Sequence, residues 1–574
     1  MSTLNVQQQS ILQLFSDEKT DFIIPDYQRP YAWGEDECTT LWEDIISFAF
    51  PNNKIEPFNS NDSYFLGSIV TFRNSENKLE IIDGQQRITT LMLLLRAFYK
   101  RFENNHDDDF KNILQNIAKC IWKTDENDNP QMDRLKIASM VYSDNDKEQF
   151  DVILKTGVCD SSYKSKYAEV FRLFLKLLEE YTLDHHNYIP KLPQRVMRKC
   201  ELLHIQAESQ NTALRIFSTL NDRGKPLADS DIFKVKLYNF YKSKNKKDEF
   251  IEEWKVLENL IEEYFNSKAS SPMDELFTRY MYYERAKQNI TASTTDALRK
   301  FFEQEDYKLL KSEETFNNLG ALARFWKNVY SQDDIFSQKV LNRLYVLKYA
   351  PNGMWTYILS VYYIANKDNL DQEKLYNFLT KITAFIYAYY FTNPGVNALR
   401  TPFYSEMERI VHSNNNELKD YFKNYKFNKD ELTRKISEFV FSNNKTITKS
   451  MLIWYLMNDD TQEQIEDFQI EHIYSKNRYE KEDNGFDINL IESIGNKVIL
   501  EKKINISASD YRFDDKKKYY MGKAGKNKQV TQNRELRLMA ENRIDFTKED
   551  IENRKEKIIN SFIKFVESNN LIKE

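Results

Sequence analysis

The stretch KLEIIDGQQRITTLMLLLRAFYKRF, Lys78–Phe102, joins a strand to a helix through five small or polar residues, DGQQR. The apolar residues just before these five predict the end of a strand. The apolar residues after them recur at helical spacing, which predicts a strongly amphipathic helix. DGQQR is therefore predicted to form the turn that opens the helix, with Asp83 as its N-cap and Gly84 in an unusual backbone conformation.

A cap and a flexible glycine account for only two of the five residues. The remaining three are two amides and an arginine at the N-terminal end of a helix. Unpaired backbone N–H groups at such an end favour anions. The arginine in the first turn therefore points to phosphate.

The composition predicts a globular, mostly helical chain of several domains. The 574 residues include 30% charged and 41% apolar residues, and only 12 Gly and 12 Pro. The chain shows neither a basic N-terminal segment followed by an apolar run nor an apolar stretch approaching about 18 residues. We therefore expect no secretory signal and no membrane partner. The four cysteines form no CxxC pair, which favours a reduced, cytoplasmic location and no cysteine zinc site.

The net charge of −6 excludes a chain that binds nucleic acid over its whole surface, so any DNA contact must be local. One segment fits. Lys497–Arg537 holds 12 Lys or Arg against 5 Asp or Glu, with tyrosines and a phenylalanine interleaved. On charge alone, both a DNA-binding surface and a solvated lysine-rich surface remain open.

Residues 1 to about 105 are predicted to mix strands and helices. DFIIPDYQRPYAW contains a short strand, a helix begins near Glu35, and SYFLGSIVTF and KLEIID form a hairpin around RNSENK. The segment from about 110 to 215 is predicted to be helical. An amphipathic helix, a tight Asn-Asp-Arg-Gly turn and a second helix capped by Asp229 or Ser230 follow.

Residues from about 245 to 450 are predicted to be helical and rich in Tyr and Phe, and we interpret them as a scaffold. The chain then changes character near residue 455. A short strand, a Gly-Asn turn, the basic segment and a closing helix are predicted in the remainder.

The C-terminal part contains the residue types that a one-metal nuclease needs. In DFQIEHIYSKN a histidine follows a carboxylate at the end of a strand, and IESIGNKVILEKKINISASDYRFDDKKKYY supplies two asparagines and the basic run. An imidazole can deprotonate water near neutral pH. Carboxylate and amide oxygens can hold a hard divalent ion, and lysines can hold the DNA backbone.

Residues 471–520 resemble an HNH (ββα-metal) nuclease domain of GmrSD-type restriction enzymes. The resemblance implies that His472 is the general base, that Glu471 and Asn505 ligate Mg²⁺ or Mn²⁺, and that Asn496 orders the turn and contributes to catalysis. Two departures stand out. Ser475 replaces the usual proline, and Glu471 stands where many relatives have aspartate, which leaves its direct contact with metal open. The DNA-binding residues are predicted to be Lys502, Lys503, Lys516, Lys517 and Lys518.

The N-terminal stretches IPDYQRPYAW, IIDGQQRITTL and IFSTLNDRGKPLADSDIFK resemble the signatures of the ParB-like domain of the same family. That domain binds and hydrolyses nucleotide, or senses the DNA modification, and controls the nuclease. The chain contains no G-x-x-x-x-G-K-[ST] sequence, so nucleotide use cannot come from a P-loop. The resemblance implies a nucleoside triphosphate site at Asp83, Gly84, Gln85, Gln86 and Arg87, with Tyr27, Gln28 and Arg29 as another wall and Asn221, Arg223 and Lys225 closing it.

The predicted fold class is therefore α+β and predominantly helical. A ParB-like α/β domain covers 1–240, a helical scaffold 241–450 and an HNH nuclease domain 451–574. The predicted function is a modification-dependent DNA endonuclease that restricts phage DNA under nucleotide control. Two alternatives stay open: a nucleotide-responsive DNA-binding regulator with an inactive HNH tail, and an RNA-directed nuclease toxin. The sequence does not identify the nucleotide, the DNA modification or whether the chain forms homo-oligomers.

Overall fold

The computed structural model of the chain describes residues 5–49, 62–105, 107–127, 129–141, 144, 146–184, 189–220, 228–265, 271–395, 397–412, 421–481, 488–525 and 528–573. The chain divides into two units, Met1–Lys255 and Val256–Glu574. No helix within the described ranges combines the length and the apolar character needed to cross a lipid bilayer. The predicted class, α+β and predominantly helical, is confirmed.

The strands of the first unit are β1 (Asn5–Ser10), β2 (Phe22–Ile24), β3 (Tyr64–Arg73), β4 (Leu79–Asp83), β5 (Trp122–Thr124), β6 (Pro130–Leu135), β7 (Ile137–Ser139) and β8 (Cys200–Ala207). A mixed sheet contains six of them in the order β1-β8-β3-β4-β2-β7, and β5 pairs with β6. The predicted hairpin around RNSENK is confirmed, since β3 lies antiparallel to β4. β3 also lies parallel to β8, which makes β8 an inner strand.

The helices of this unit are α1 (Ile11–Ser16), α2 (Glu35–Ala49), α3 (Gln85–Phe102), α4 (Asp108–Ile121), α5 (Lys147–Thr156), α6 (Lys166–Asp184), α7 (Lys191–Lys199), α8 (Gln210–Leu220) and α9 (Asp229–Ser243), followed by α10 (Lys247–Tyr264), in which the boundary between the units falls. The predicted helix start at Glu35 is confirmed. α3 is the central helix, because every residue from Ile88 to Ala97 is buried. A helix that is buried on all sides is a core helix, so the predicted amphipathic helix is wrong in that respect.

The prediction of a helical segment from about 110 to 215 is wrong in part. That range contains β5, β6, β7 and the inner strand β8. β8 has the sequence CELLHIQA, in which Cys200, Leu202 and His204 are buried in alternation. This alternation of buried side chains arises from the pairing of β8 with β1 and β3, and the letters of the sequence do not show it.

The helix caps also differ from prediction. α3 is capped by Gly84, whose φ of +89° is left-handed, and Asp83 precedes the cap with its side chain accepting a hydrogen bond from Gly84 N. The unusual conformation predicted for Gly84 is confirmed. α9 is capped by Ala228 without a side-chain hydrogen bond, so neither Asp229 nor Ser230 is the cap.

The second unit begins with a helical region, as predicted. Its helices are α11 (Pro272–Lys287), α12 (Leu298–Tyr307), α13 (Glu313–Tyr330), α14 (Gln338–Lys348), α15 (Met354–Asn366), α16 (Gln372–Thr392), α17 (Arg400–His412), α18 (Lys429–Ser437) and α19 (Thr446–Leu456), with 3₁₀ turns at Lys308–Leu310 and Lys367–Asn369. Stacked aromatic pairs fill its interior, such as Phe385 with Phe422 at a centroid separation of 4.0 Å. Aromatic residues therefore act here as core, as their helical spacing predicts.

The remainder of the second unit contains a two-stranded hairpin surrounded by short helices. These elements are β9 (Phe468–His472), α20 (Lys476–Lys481), α21 (Ile488–Ile491), a 3₁₀ turn at Ile494–Asn496, β10 (Lys497–Glu501), α22 (Lys502–Ala508), α23 (Phe513–Tyr520), α24 (Arg534–Asn542) and α25 (Lys548–Ser568). β9 and β10 pair antiparallel. The predicted order of strand, Gly-Asn turn and closing helix is confirmed.

α25 packs directly on the 3₁₀ turn. Arg554 of α25 is buried, and its Nη1 donates to the carbonyl oxygens of Ile494, Gly495 and Lys497 at 3.1, 3.0 and 2.7 Å. A Cβ at position 495 would lie 2.1 Å from the carbonyl oxygen of Ile551. Only glycine permits this approach of turn to helix.

Gly495→Ala is therefore expected to destabilise the second unit by roughly 1–3 kcal/mol or more, because the new methyl group meets helix backbone that cannot move alone. Gly353→Ala is the matched control, since a Cβ there meets no atom within 4 Å. Thermal and urea unfolding of both variants measure the difference. Equal stabilities would contradict the close packing of α25 on this turn.

Candidate functional site

The hairpin and the helix after it carry the candidate nuclease residues. In the register of β9 and β10, His472 lies opposite Lys497 and Glu471 lies opposite Val498. α22 begins directly after β10. Successive side chains of a strand point to opposite faces. His472 therefore lies on one face of the hairpin, and Glu471 shares the other face with Gln469.

His472 is surrounded by charged groups on its face of the hairpin. Its Nε2 is buried without a hydrogen-bond partner among the described residues, and Glu492 Oε1 lies 3.5 Å away. Burial and the neighbouring Lys497 ammonium hold the pKa of His472 below its usual value, although Glu492 opposes them. The imidazole is therefore neutral at neutral pH, which is the form that accepts a proton.

Glu492 and Lys497 were not singled out from the sequence. Lys497 is fully buried, and its Nζ donates to Glu492 Oε2 at 2.5 Å and to Asn443 Oδ1 at 2.7 Å. Although burial alone would raise it, the Lys497 contact holds the pKa of Glu492 below its usual value. The only available signal was the position of Glu492 four residues before Asn496.

Glu471 is buried, and its carboxylate pairs with the ammonium group of Lys516. Its Oε1 accepts hydrogen bonds from Lys516 Nζ at 2.7 Å and from Tyr520 OH at 2.8 Å. Burial raises the pKa of Glu471, while Lys516 and Tyr520 oppose the rise. Lys516 Nζ also donates to the carbonyl oxygen of His472 at 2.7 Å. The residue predicted as a metal ligand is therefore held by a lysine in this structure.

Asn505 faces the same side of the hairpin as Glu471. Its Nδ2 donates to Gln469 Oε1 at 2.7 Å, whereas its Oδ1 is buried without a hydrogen-bond partner among the described residues. No group of three or more His, Cys, Asp and Glu side chains in the described ranges is placed to hold a metal ion. A metal here would therefore need amide oxygen, and the unpaired Asn505 Oδ1 has the chemistry that a hard cation requires.

Asn496 holds the backbone that follows His472. It is fully buried, and its Nδ2 donates to the carbonyl oxygens of Tyr474 and Ile491 at 3.1 and 3.0 Å. Its Oδ1 accepts from Tyr474 N at 2.7 Å. Ser475, the departure from the family's proline, donates from its Oγ to the carbonyl oxygen of Asp510 at 2.8 Å. Side-chain hydrogen bonds of Asn496 and Ser475 thus fix the backbone of residues 474–475, directly after His472.

The predicted DNA-binding lysines lie in different environments. Lys502 and Lys503 are exposed at the start of α22. In α23, Lys518 is exposed and pairs with Asp515, and Lys517 is half-buried. Lys516 is buried with only 1% of its side chain exposed. The other four lysines therefore form the accessible part of the predicted basic surface, and Lys516 does not.

The two glutamines of DGQQR contact protein backbone. Gln86 Oε1 accepts from Ala32 N at 2.7 Å and from Trp33 N at 3.2 Å, and its Nε2 donates to the carbonyl oxygen of Pro30 at 3.2 Å. Gln85 Nε2 donates to the carbonyl oxygen of Arg29. Both amides therefore attach the turn to the loop 29–33, which belongs to the first of the N-terminal stretches, IPDYQRPYAW.

Arg87, the last residue of DGQQR, contacts β3. Its Nη1 donates to the carbonyl oxygen of Ser68 at 2.7 Å. Burial lowers the pKa of Arg87, and the Asp83 carboxylate opposes that effect. Gly67 leaves room for the guanidinium, because a Cβ there would lie 2.9 Å from Arg87 Cζ.

Tyr27, Gln28 and Arg29, predicted to form another wall of the nucleotide site, each contact a different part of the first unit. Tyr27 OH donates to Glu80 Oε1 at 2.7 Å, Gln28 Nε2 donates to the carbonyl oxygen of Ile82 at 3.3 Å, and Arg29 pairs with Asp231 at 2.6 Å. Tyr27 and Gln28 thus contact β4, next to the turn, whereas the side chain of Arg29 contacts α9. Asn221, Arg223 and Lys225 lie outside the described residues.

A cavity of about 540 Å³ opens beside Tyr27 in the first unit. Its lining includes Glu80 and Tyr238 but no residue of DGQQR. Tyr27 and Arg87 therefore do not share this cavity.

Comparison with known proteins accounts for both ends of the chain. The model described as the GmrSD restriction endonuclease N-terminal domain matches residues 11–238, and the model described as the GmrSD restriction endonucleases C-terminal domain matches residues 426–561. The first match contains DGQQR, and the second contains the hairpin with His472. No curated protein matches the chain. The two matches together cover more than half of the chain in the predicted order, and the chain belongs to the GmrSD restriction endonuclease family.

Proposed function

We propose that this restriction endonuclease cleaves modified phage DNA in the cytoplasm through an HNH (ββα-metal) nuclease domain that uses Mg²⁺ or Mn²⁺. The observation that carries the proposal is the sequence of parts in the second unit. A strand ends in His472, Asn496 fixes the following turn, a second strand pairs back, and α22 presents Asn505. Membership in the family indicates an endonuclease. The arrangement of His472, Asn496 and Asn505 suggests how the phosphodiester would be hydrolysed.

His472 is the proposed general base. Its ring is neutral and its Nε2 has no hydrogen-bond partner among the described residues, so Nε2 can take a proton from a water that attacks the phosphodiester. As that proton moves to His472, the new P–O bond forms and the bond to the leaving oxygen breaks. Glu492, whose Oε1 is 3.5 Å from Nε2, stabilises the resulting imidazolium by its negative charge.

Asn505 and Glu471 are the proposed metal ligands. The buried, unpaired Asn505 Oδ1 supports this role, and Glu471 lies two residues along β9 from Gln469, the hydrogen-bond partner of Asn505. A divalent ion held by these oxygens would stabilise negative charge at the scissile phosphate. Asn496 acts on the same site indirectly, by holding the backbone after His472 in place.

Control by the first unit is the second part of the proposal. A nucleoside triphosphate would bind at the N-terminal end of α3, where backbone N–H groups and Arg87 favour phosphate. Gln85 and Gln86 attach this end to loop 29–33. A ligand at Arg87 would therefore act on the loop through existing hydrogen bonds, without a P-loop.

The base assignment predicts that His472→Ala lowers the rate of strand cleavage about 10²–10⁴-fold while the fold and DNA affinity remain. The measurement is single-turnover cleavage of modified phage DNA with Mg²⁺, with unmodified DNA and RNA as parallel substrates. His412→Ala is the matched control, because His412 is exposed at the end of α17. An unchanged rate in His472→Ala would remove His472 from the mechanism, and faster cleavage of RNA would favour the toxin alternative.

The exposed lysines predict a change in salt dependence. Replacing Lys502 and Lys503 by glutamine is expected to weaken binding to all DNA sequences alike and to flatten the log–log salt slope by about 0.9 for each lost phosphate contact. Replacing Lys557 and Lys564, two exposed lysines of α25, removes the same charge and serves as the control. Equal slopes for the two double variants would favour a solvated lysine-rich surface.

The nucleotide site predicts that Arg87→Ala weakens binding of its nucleoside triphosphate about tenfold to a hundredfold, as for loss of a charge-assisted hydrogen bond. Calorimetric titration with each of the four triphosphates and Mg²⁺ measures this effect. Arg134→Ala, at an exposed position of β6, is the control. Because Arg87 also bonds to Ser68 O, thermal unfolding must show that the variant is folded. Absence of binding by the wild type would reject nucleotide control at this turn.

A further inference from the structure

Lys516 occupies an unusual place for a residue in a run of three lysines. Its side chain is 1% exposed, whereas that of Lys518 is 50% exposed. Lys516 Nζ contacts two acceptors, Glu471 Oε1 at 2.7 Å and the carbonyl oxygen of His472 at 2.7 Å. The ammonium group therefore joins the candidate metal ligand to the backbone of the candidate base.

The buried carboxylate of Glu471 needs a positive charge. An unpaired charge in a protein interior is strongly unfavourable, and Lys516 supplies the compensating ion. Tyr520 adds a neutral hydrogen bond to the same Oε1. α23 thus contributes both side-chain partners of Glu471 Oε1, Lys516 and Tyr520.

A divalent ion bound by Glu471 would bring a second positive charge to the same carboxylate. Two cations at hydrogen-bond or ligand distance from one carboxylate repel each other, and the low effective dielectric of a buried site increases that repulsion. Asn505 Oδ1, on the same side of the hairpin, is the oxygen without a partner among the described residues. The site therefore has one free ligand and one ligand already held by an internal cation.

We propose that Lys516 is the resident counter-ion of this site, which holds Glu471 in the metal-free enzyme and gives it up when a divalent ion binds. The inference rests on the metal site of the proposed function and adds a competing residue to it. Release of Lys516 also breaks its bond to the carbonyl oxygen of His472. Ion binding is thereby coupled to the backbone that carries the base.

The first test is calorimetric titration of the full-length protein with Mn²⁺. Lys516→Met is expected to bind Mn²⁺ at least about tenfold more tightly than the wild type, because Glu471 no longer has a competing cation. Lys518→Met removes the same charge from an exposed position of the same helix and should leave the affinity unchanged. Equal or weaker affinity in Lys516→Met overturns the proposal.

The second test uses the wild type, so it does not depend on whether Lys516→Met folds. An amine-acylating reagent followed by mass spectrometry reports the reactivity of each lysine. Lys516 is expected to react several-fold faster with saturating Mn²⁺ than without it, and Lys518 equally in both. Unchanged protection of Lys516 while Mn²⁺ is bound overturns the proposal.

Asn505→Ala separates failure of this inference from failure of the metal site itself. In one outcome, the wild type binds Mn²⁺ and Asn505→Ala binds it weakly, but Lys516→Met does not raise the affinity and Lys516 does not become more reactive. The metal site then stands, and the counter-ion role of Lys516 is wrong. If the wild type binds no Mn²⁺, or Asn505→Ala binds it unchanged, the proposed metal site and the inference both fall.

Discussion

The candidate nuclease site depends on the contact between Arg554 and the backbone of the 3₁₀ turn. One guanidinium satisfies three buried carbonyl oxygens of residues 494–497 and also pairs with Glu535 at 2.8 Å. Buried carbonyl groups without donors are costly, and a charged donor satisfies them strongly. The turn in turn carries Asn496, which holds Tyr474, two residues after His472. The closing helix therefore determines where the candidate base lies, although it contributes no group to the chemistry.

The pleat of β9 determines what the neighbouring residues Glu471 and His472 can do. Because the two side chains point to opposite faces, the His472 ring lies near Glu492 and Lys497. The Glu471 carboxylate lies on the face that carries Gln469, Asn505 and Lys516. Two adjacent residues thus sit in two separate charge environments. One environment keeps an imidazole neutral, and the other keeps a carboxylate compensated.

Local sequence patterns predicted those elements whose signals are local. The β3–β4 hairpin, the start of α2, and the strand, turn and closing helix of the C-terminal part all follow from spacing and turn residues. β8 was missed because its partners β1 and β3 lie far away in the sequence, and only their pairing makes CELLHIQA a strand. The same limit applies to the lysines. Lys516 and Lys518 are two residues apart in one helix, and only the packing of α23 on the hairpin makes one an internal cation and the other a surface charge.

Both candidate ligand sites share a physical feature that composition does not reveal. Arg87 already donates to Ser68 O, and Lys516 already donates to Glu471 and His472 O. Under the proposals above, a divalent ion at the second would replace a bond that the chain already makes, and a phosphate at the first would compete with Ser68 O for the guanidinium. The net affinity is the difference between the new contact and the one given up, which is much smaller than either alone. Such exchange also makes each site a point where ligand binding changes the hydrogen bonds of the protein.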